Sequence, residues 1–152
     1  MATVLHDREA LPVDRLTSGP VLEVDAERWK LEASDARDAA LARSAFRIYL
    51  EMYGTPACDF DAAEAVYGEL VSNCVTHAPG PIRVEFTWRD RTLSIVDGCD
   101  RLHTWPFSPD DTAAETTHHA YAILAALGGG VHVARADGGG TRARVVLPVM
   151  RY

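Results

Sequence analysis

A change of hydrophobic period at Pro79-Gly80-Pro81 constrains the fold of this chain more than any other feature. Before this break, apolar residues recur every three to four positions, a pattern that predicts α-helices. After it, residues 82–88 alternate strictly between apolar and polar, which predicts a half-buried β-strand. Because proline and glycine interrupt helices, the break divides a helical part of the chain from a part that forms a sheet.

Two helices are predicted before the break. The first begins after Ser34 as its N-cap and ends at Tyr53, where Gly54-Thr55-Pro56 stops it. Its inward face is predicted from apolar residues at helical spacing, namely Ala42, Ala45, Phe46, Tyr49 and Tyr53. The second helix begins near residue 59 or 61 and runs to about residue 78. Its inward stripe is predicted to be Phe60, Ala63, Tyr67, Leu70 and Cys74.

Short strands are predicted on both sides of these helices. Residues 21–24 form one, residues 82–88 pair with 93–96, and residues 131–136 pair with 141–149 across a glycine-rich turn. A third helix is predicted over residues 113–127. This order predicts an α/β (α+β) fold. We expect a two-layer sandwich with the helices on one face of a mixed, mainly antiparallel sheet of four or five strands.

The length of 152 residues fits a single domain of this kind. We expect residues 1–30 to form an N-terminal arm with a short edge strand, and residues 31–152 to form the domain. The first ten residues carry four charged or histidine side chains, and no apolar run of 18 residues occurs in the sequence. A cytoplasmic protein is therefore expected. Three cysteines, Cys58, Cys74 and Cys99, are too few and too far apart for a disulfide framework.

The charge balance limits the partners of the protein. Its 15 lysines and arginines stand against 22 acidic residues, which gives a net charge of −7. This sign disfavours binding to nucleic acid or to an anionic membrane surface. Lys30 is the single lysine, and no glycine-rich run precedes it, so the sequence excludes a P-loop.

The segment with the clearest chemical pattern is Glu69-Leu-Val-Ser-Asn73-Cys-Val-Thr-His77-Ala. On the predicted second helix, Glu69, Asn73 and His77 fall within a stripe roughly 80° wide. The amide oxygen of Asn73 is a hard ligand suited to Mg²⁺, and the carboxylate of Glu69 can hold a water or act as a general base. The alternative is a solvated helix face with a hydrogen bond between the Glu and Asn side chains.

This segment resembles the first conserved box of the GHKL, or Bergerat-fold, ATPases, and specifically of the bacterial anti-sigma-factor serine/threonine kinases. The resemblance extends from about Ala33 to Pro148, because the helices, the break, the hairpin and the closing glycine turn follow the expected order. It implies that Asn73 is the Mg²⁺ ligand, that Glu69 is the catalytic base, and that His77 lies near the phosphates of ATP.

Two further boxes of that family are altered in this chain. In the second, Asp-x-Gly-x-Gly, Asp97 stands where the family recognises adenine and Gly98 follows it, but Cys99 and Arg101 stand at the glycine positions. The third box, Gly-x-Gly-Leu at a helix start, corresponds to His118, His119 and Ala120. The two histidines are either neutralising groups for phosphate or simply exposed polar surface.

The resemblance implies a regulator that binds Mg-ATP and phosphorylates a Ser or Thr of an anti-anti-sigma (STAS-type) protein, or that binds a sigma factor. It leaves homodimer formation open. The altered glycine boxes keep a second hypothesis open, in which the protein binds its partner without a nucleotide. A third hypothesis, a hydrolase with Glu69 and His77 as its acid–base pair, lacks a nucleophile at a diagnostic spacing.

Overall fold

A computed structural model describes residues 19–78, 80–98 and 130–152 of the protein. Within these ranges the chain forms six strands and three helices. In chain order they are β1 (Val21–Val24), β2 (Arg28–Ala33), α1 (Ala36–Leu41), α2 (Arg43–Tyr53), α3 (Phe60–His77), β3 (Ile82–Thr87), β4 (Thr92–Asp97), β5 (His132–Arg135) and β6 (Thr141–Val146). None of the helices in the described ranges has the length and apolar character needed to cross a bilayer.

The strands form one open sheet in the order β1-β2-β3-β4-β6-β5. Every pairing between the described strands is antiparallel. The helices contact the sheet through β2, β3 and β4, so the fold is a two-layer α+β sandwich, as the sequence predicts. The sheet has six described strands instead of the expected four or five.

Alternation of side chains along the strands gives this sheet one buried and one open face. Register places the buried positions side by side: Leu31 pairs with Val84, Val84 with Ile95, and Ile95 with Ala143. The intervening residues are polar or partly exposed and lie on the face away from the helices. Burial of the apolar row against α1–α3 supplies the main driving force for folding.

An aromatic cluster fills the centre of the core. The ring of Phe46 on α2 stacks on that of Tyr67 on α3, with 4.9 Å between the ring centroids. The rings of Phe46 and Trp29 of β2 meet edge to face, with 5.0 Å between their centroids. Phe86 of β3 lies 5.7 Å from Phe46 between ring centroids. The cluster therefore joins two helices to two strands, and edge-to-face and stacked rings of this kind add to the energy of simple area burial.

Strand β2 is the element that the sequence analysis missed. Its sequence, Arg-Trp-Lys-Leu-Glu-Ala, alternates polar and apolar residues, and Trp29 and Leu31 are almost completely buried. β1 pairs with β2 as the edge strand and corresponds to the predicted short strand. β2 crosses residue 30, where the sequence analysis placed the boundary between arm and domain. The division into arm and domain itself stays a prediction.

The predicted single helix from Ser34 to Tyr53 is wrong in two details. Its N-cap is Asp35, whose carboxylate accepts from the Arg37 amide at 2.9 Å, and the helix is interrupted at Ala42. The hydroxyl of Tyr67 donates to the Ala39 carbonyl at 2.7 Å, and the amide of Ala42 also donates to that carbonyl, at 3.2 Å. These two donors occupy the acceptor that a continuous helix would offer to residue 43. Of the predicted inward residues, Ala45 is exposed.

The other described elements agree with the predicted ones. α3 spans Phe60–His77, and Ala63, Tyr67, Leu70 and Cys74 of its predicted stripe are fully buried. The hairpins β3–β4 and β5–β6 form as predicted. The predicted third helix over residues 113–127 lies outside the described residues, as do Cys99, Arg101, His118 and His119. Cys58 and Cys74 are free thiols.

Candidate functional site

Helix α3 carries the three polar side chains of the candidate site. Asp59 caps its first turn by accepting from the Ala62 amide at 3.0 Å, which fixes where the helix begins. The helix is unbroken through residue 77, so Glu69, Asn73 and His77 lie on one stripe, as the sequence predicts. Asn73 is 7% exposed, whereas Glu69 and His77 are half-buried.

The side chain of Asn73 is buried without full hydrogen bonding. Its Nδ2 is inaccessible to solvent and has no hydrogen-bond partner among the residues that the structure describes. A buried amide nitrogen of this kind costs about 1–3 kcal/mol, because it has lost its water and gained nothing in return. An apolar residue such as Ala or Leu at the same position would avoid this free-energy cost if the position served only packing. The unsatisfied amide therefore marks Asn73 as a candidate ligand-binding residue.

Asp97 ends β4 with its side chain on the helix-facing side of the sheet. It is 2% exposed, a rare position for a carboxylate. The Sγ of Cys74 donates to Oδ2 of Asp97 at 3.7 Å. Cys74 directly follows Asn73 on α3, so this contact ties the end of β4 to the helix that carries the polar stripe. A buried carboxylate at the end of β4 thus contacts α3 at Cys74, the residue next to the buried Asn73.

The turn between β5 and β6 closes this end of the sheet. Gly140 has a φ of +86°, and a Cβ added there would collide with the carbonyl oxygen of Asp97. Thr141 pairs with Asp97 in the register of β4 and β6 and is itself buried. Gly98, which follows Asp97, is exposed. Asp97 therefore contacts α3 through its side chain and lies against the glycine turn through its backbone carbonyl.

Glu69 and His77 are too far apart to act as a pair. Eight residues along α3 separate them by about 12 Å, at a rise of 1.5 Å per residue. A proton passes directly between two groups only when their heavy atoms lie within hydrogen-bond reach. The arrangement therefore gives no support to the hydrolase hypothesis.

A cavity of about 470 Å³ opens at the same end of the sheet. Its walls come from the ends of β2, β3 and β4, and Arg83, Asp97 and Gly98 are among the residues that line it. Within residues 19–78, 80–98 and 130–152, no group of three His, Cys, Asp or Glu side chains forms a candidate metal cluster.

Two contributors to the site were not recognised from the sequence. Cys74 was assigned only to the core stripe and Gly140 only to a turn, because neither residue type signals a contact with a distant carboxylate. Their role depends on the sheet order, which places β6 next to β4. Comparison of the chain with models of known protein families gives no match, and comparison with curated proteins gives no significant match. The functional interpretation therefore depends on the residues and contacts described above.

Proposed function

We propose that this protein is an ATP-binding regulator of the anti-sigma-factor serine/threonine kinase type. It binds Mg-ATP next to α3 and transfers a phosphoryl group to a Ser or Thr of an anti-anti-sigma (STAS-type) partner. The observation that carries the proposal is the contact of Asp97, a buried carboxylate at the end of β4, with Cys74, which adjoins the buried Asn73 on α3.

The described residues are chemically suited to such a ligand. Asn73 has a buried amide with an unsatisfied Nδ2, and its amide oxygen suits Mg²⁺, which binds few protein groups when phosphates complete its shell. Asp97 has a buried carboxylate that suits the amino group of adenine. Bound Mg-ATP would supply the phosphoryl group and neutralise charge during transfer.

In this proposal each residue of the stripe has its own task. Glu69 accepts the proton from the attacking hydroxyl, and its half-buried position on α3 leaves it reachable from outside. Asn73 holds the metal ion, and His77 at the last turn of the helix lies toward the phosphates. Phosphoryl transfer depends on position and charge stabilisation, so the site needs no covalent nucleophile.

Isothermal titration with Mg-ATP and Mg-ADP tests the proposal directly. We expect the wild-type protein to bind both nucleotides and Asn73→Ala to lose binding. Ser72→Ala is the matched control, because Ser72 is exposed on the adjacent position of the same helix. Absence of heat with the wild-type protein, or equal binding by Asn73→Ala, would contradict the proposal.

The alternative function is regulation by protein contact without a nucleotide. It is favoured by Cys99, Arg101, His118 and His119 at positions where the resembled family has glycines or their neighbours. The same titration separates the two functions, because only the first requires heat with Mg-ATP. A cytoplasmic location, a sigma-factor partner and a homodimer belong to the proposal in either form.

A further inference from the structure

The open face of the sheet carries an excess of positive charge in a protein whose net charge is −7. Three of its arginines, Arg83 on β3 and Arg142 and Arg144 on β6, form no ion pair in the described ranges. Two acids on the same face are already paired with other cations. Glu85 pairs with Arg28 at 3.3 Å, and Glu32 pairs with Lys30 at 3.5 Å.

Strand register brings two of these arginines to one place. Arg83 and Arg142 are both register partners of Val96, one on each side of β4. Two interstrand spacings separate their backbones, about 10 Å. Each side chain is long enough to reach toward the other across Val96, so both guanidinium groups can contact one small ligand above β4.

A cavity of about 160 Å³ lies at this position. It is lined by Lys30, Arg83, Glu85, Ser94, Val96 and Arg142. Its volume corresponds to roughly five water molecules, at about 30 Å³ each, which is enough for a tetrahedral oxyanion. Ser94 adds a hydroxyl that can donate to the same ligand.

The Nε of Arg142 is the detail that points to a ligand. It is inaccessible to solvent and has no hydrogen-bond partner within the described part of the chain. A guanidinium N–H that is both desolvated and unpaired is unfavourable, and an anionic acceptor would satisfy it. Arginine is a preferred partner of phosphate, because the N–H groups of its planar guanidinium can donate two parallel hydrogen bonds to phosphate oxygens.

We infer that this cavity binds a phosphate group, held by Arg83 and Arg142 with Lys30 and Ser94 at its rim. Arg83 lines both this cavity and the larger one beside Asp97, whereas Arg142, Lys30 and Ser94 do not line the larger one. Their side chains leave the sheet on the face opposite to the side chain of Asp97. The group comes either from free phosphate or from a phosphorylated serine side chain, which present the same oxygens.

Isothermal titration of the full chain with inorganic phosphate, at constant ionic strength balanced with chloride, tests the inference. We expect saturable binding with a dissociation constant of about 1 mM or lower. Arg83→Met and Arg142→Met should each weaken it about tenfold or more, since each removes a charge-assisted hydrogen bond. Arg89→Met is the matched control, because Arg89 is exposed in the turn that follows β3, at the other end of that strand from Arg83.

Three comparisons make the outcome decisive. Arg142→Met should raise the melting temperature without phosphate, because it removes the unpaired Nε, and this also reports that the variant folds. Asn73→Ala should keep its affinity for phosphate, which separates this site from the nucleotide site.

Capped phosphoserine binding more tightly than phosphate would identify a phosphorylated side chain as the source, and the reverse order would identify the free ion. The inference is overturned by a wild-type protein that shows no saturable heat, or by equal losses in Arg89→Met and Arg142→Met.

Discussion

Gly140 lies against the carbonyl of Asp97, so closely that the fold leaves no room for a side chain at Gly140. This contact joins the turn between β5 and β6 to the end of β4. Gly140 also has a φ of +86°, which residues with a Cβ rarely adopt. Two independent reasons therefore require glycine at this position, and one of them concerns the candidate site.

The first prediction separates these two reasons. Gly140→Ala should lower the free energy of unfolding by about 3 kcal/mol or more, because backbone strain and the collision with Asp97 add. Gly138→Ala is the matched control, since Gly138 has a φ of +84° and no atom of the described residues lies within 4 Å of an added Cβ. Gly138→Ala should lower the free energy of unfolding by about 1 kcal/mol. Urea unfolding measures both values, and equal losses would show that the Asp97 contact has no energetic weight.

A second prediction concerns the strand that sequence analysis missed. Trp29→Ala should lower the free energy of unfolding by about 3–5 kcal/mol, because it empties the centre of the aromatic cluster. Val24→Ala, at the register partner of Trp29 on β1, should cost less than about 1 kcal/mol because Val24 is 46% exposed. Chemical denaturation followed by circular dichroism checks both. A small loss for Trp29→Ala would mean that β2 is peripheral to the domain.

A third prediction separates a functional role of Asn73 from a structural one. Asn73→Ala should leave the free energy of unfolding unchanged or raise it by up to about 1 kcal/mol, because Ala favours the helix and removes the unsatisfied Nδ2. Leu70→Ala, in the preceding turn of α3, should cost about 2–5 kcal/mol. A loss of stability in Asn73→Ala as large as in Leu70→Ala would identify Asn73 as a structural residue.

A fourth prediction concerns alkaline pH. Burial raises the pKa of Tyr49 to about 12, and burial also raises the pKa of Tyr67. In the unfolded chain both hydroxyls ionise near pH 10. Their contribution to stability is therefore complete below pH 10 and is lost as the pH rises toward 12.

Thermal melting between neutral pH and pH 11 checks this expectation. Tyr67→Phe should lower stability at neutral pH by about 1 kcal/mol, because it removes the hydrogen bond to the Ala39 carbonyl, and it should flatten the alkaline decline. Tyr152→Phe is the control, since Tyr152 is 82% exposed and its hydroxyl lies outside the core. A decline as steep in Tyr67→Phe as in the wild-type protein would exclude the buried tyrosine as its cause.

The sequence predicts those parts of the fold whose causes are local. The period change at Pro79-Gly80-Pro81, the caps of α3 and the glycines of the last turn place a long helix and two hairpins correctly. The break at Ala42 could not be predicted, because its cause is the hydroxyl of Tyr67, 25 residues further along the chain. β2 is a different case, since the alternation of polar and apolar residues that predicts it is present in the sequence itself.

The same distinction applies to the candidate site. The helical spacing of Glu69, Asn73 and His77 predicts that they share a stripe, and they do. The contact of Cys74 with Asp97 depends on how β4 packs against α3, which no local pattern specifies. Burial of the Asn73 amide without a partner likewise follows only from the packed structure.

The position of β6 between β4 and β5 has a consequence for biosynthesis. During translation β4 is complete more than 40 residues before β6 is made, so its hydrogen-bonding edge remains open throughout that interval. An open edge is a template for pairing with other chains, and nonlocal strand pairing is slow. We therefore expect the nascent chain to be most prone to misassembly before residues 141–146 leave the ribosome, and its yield to depend on chaperones at that stage.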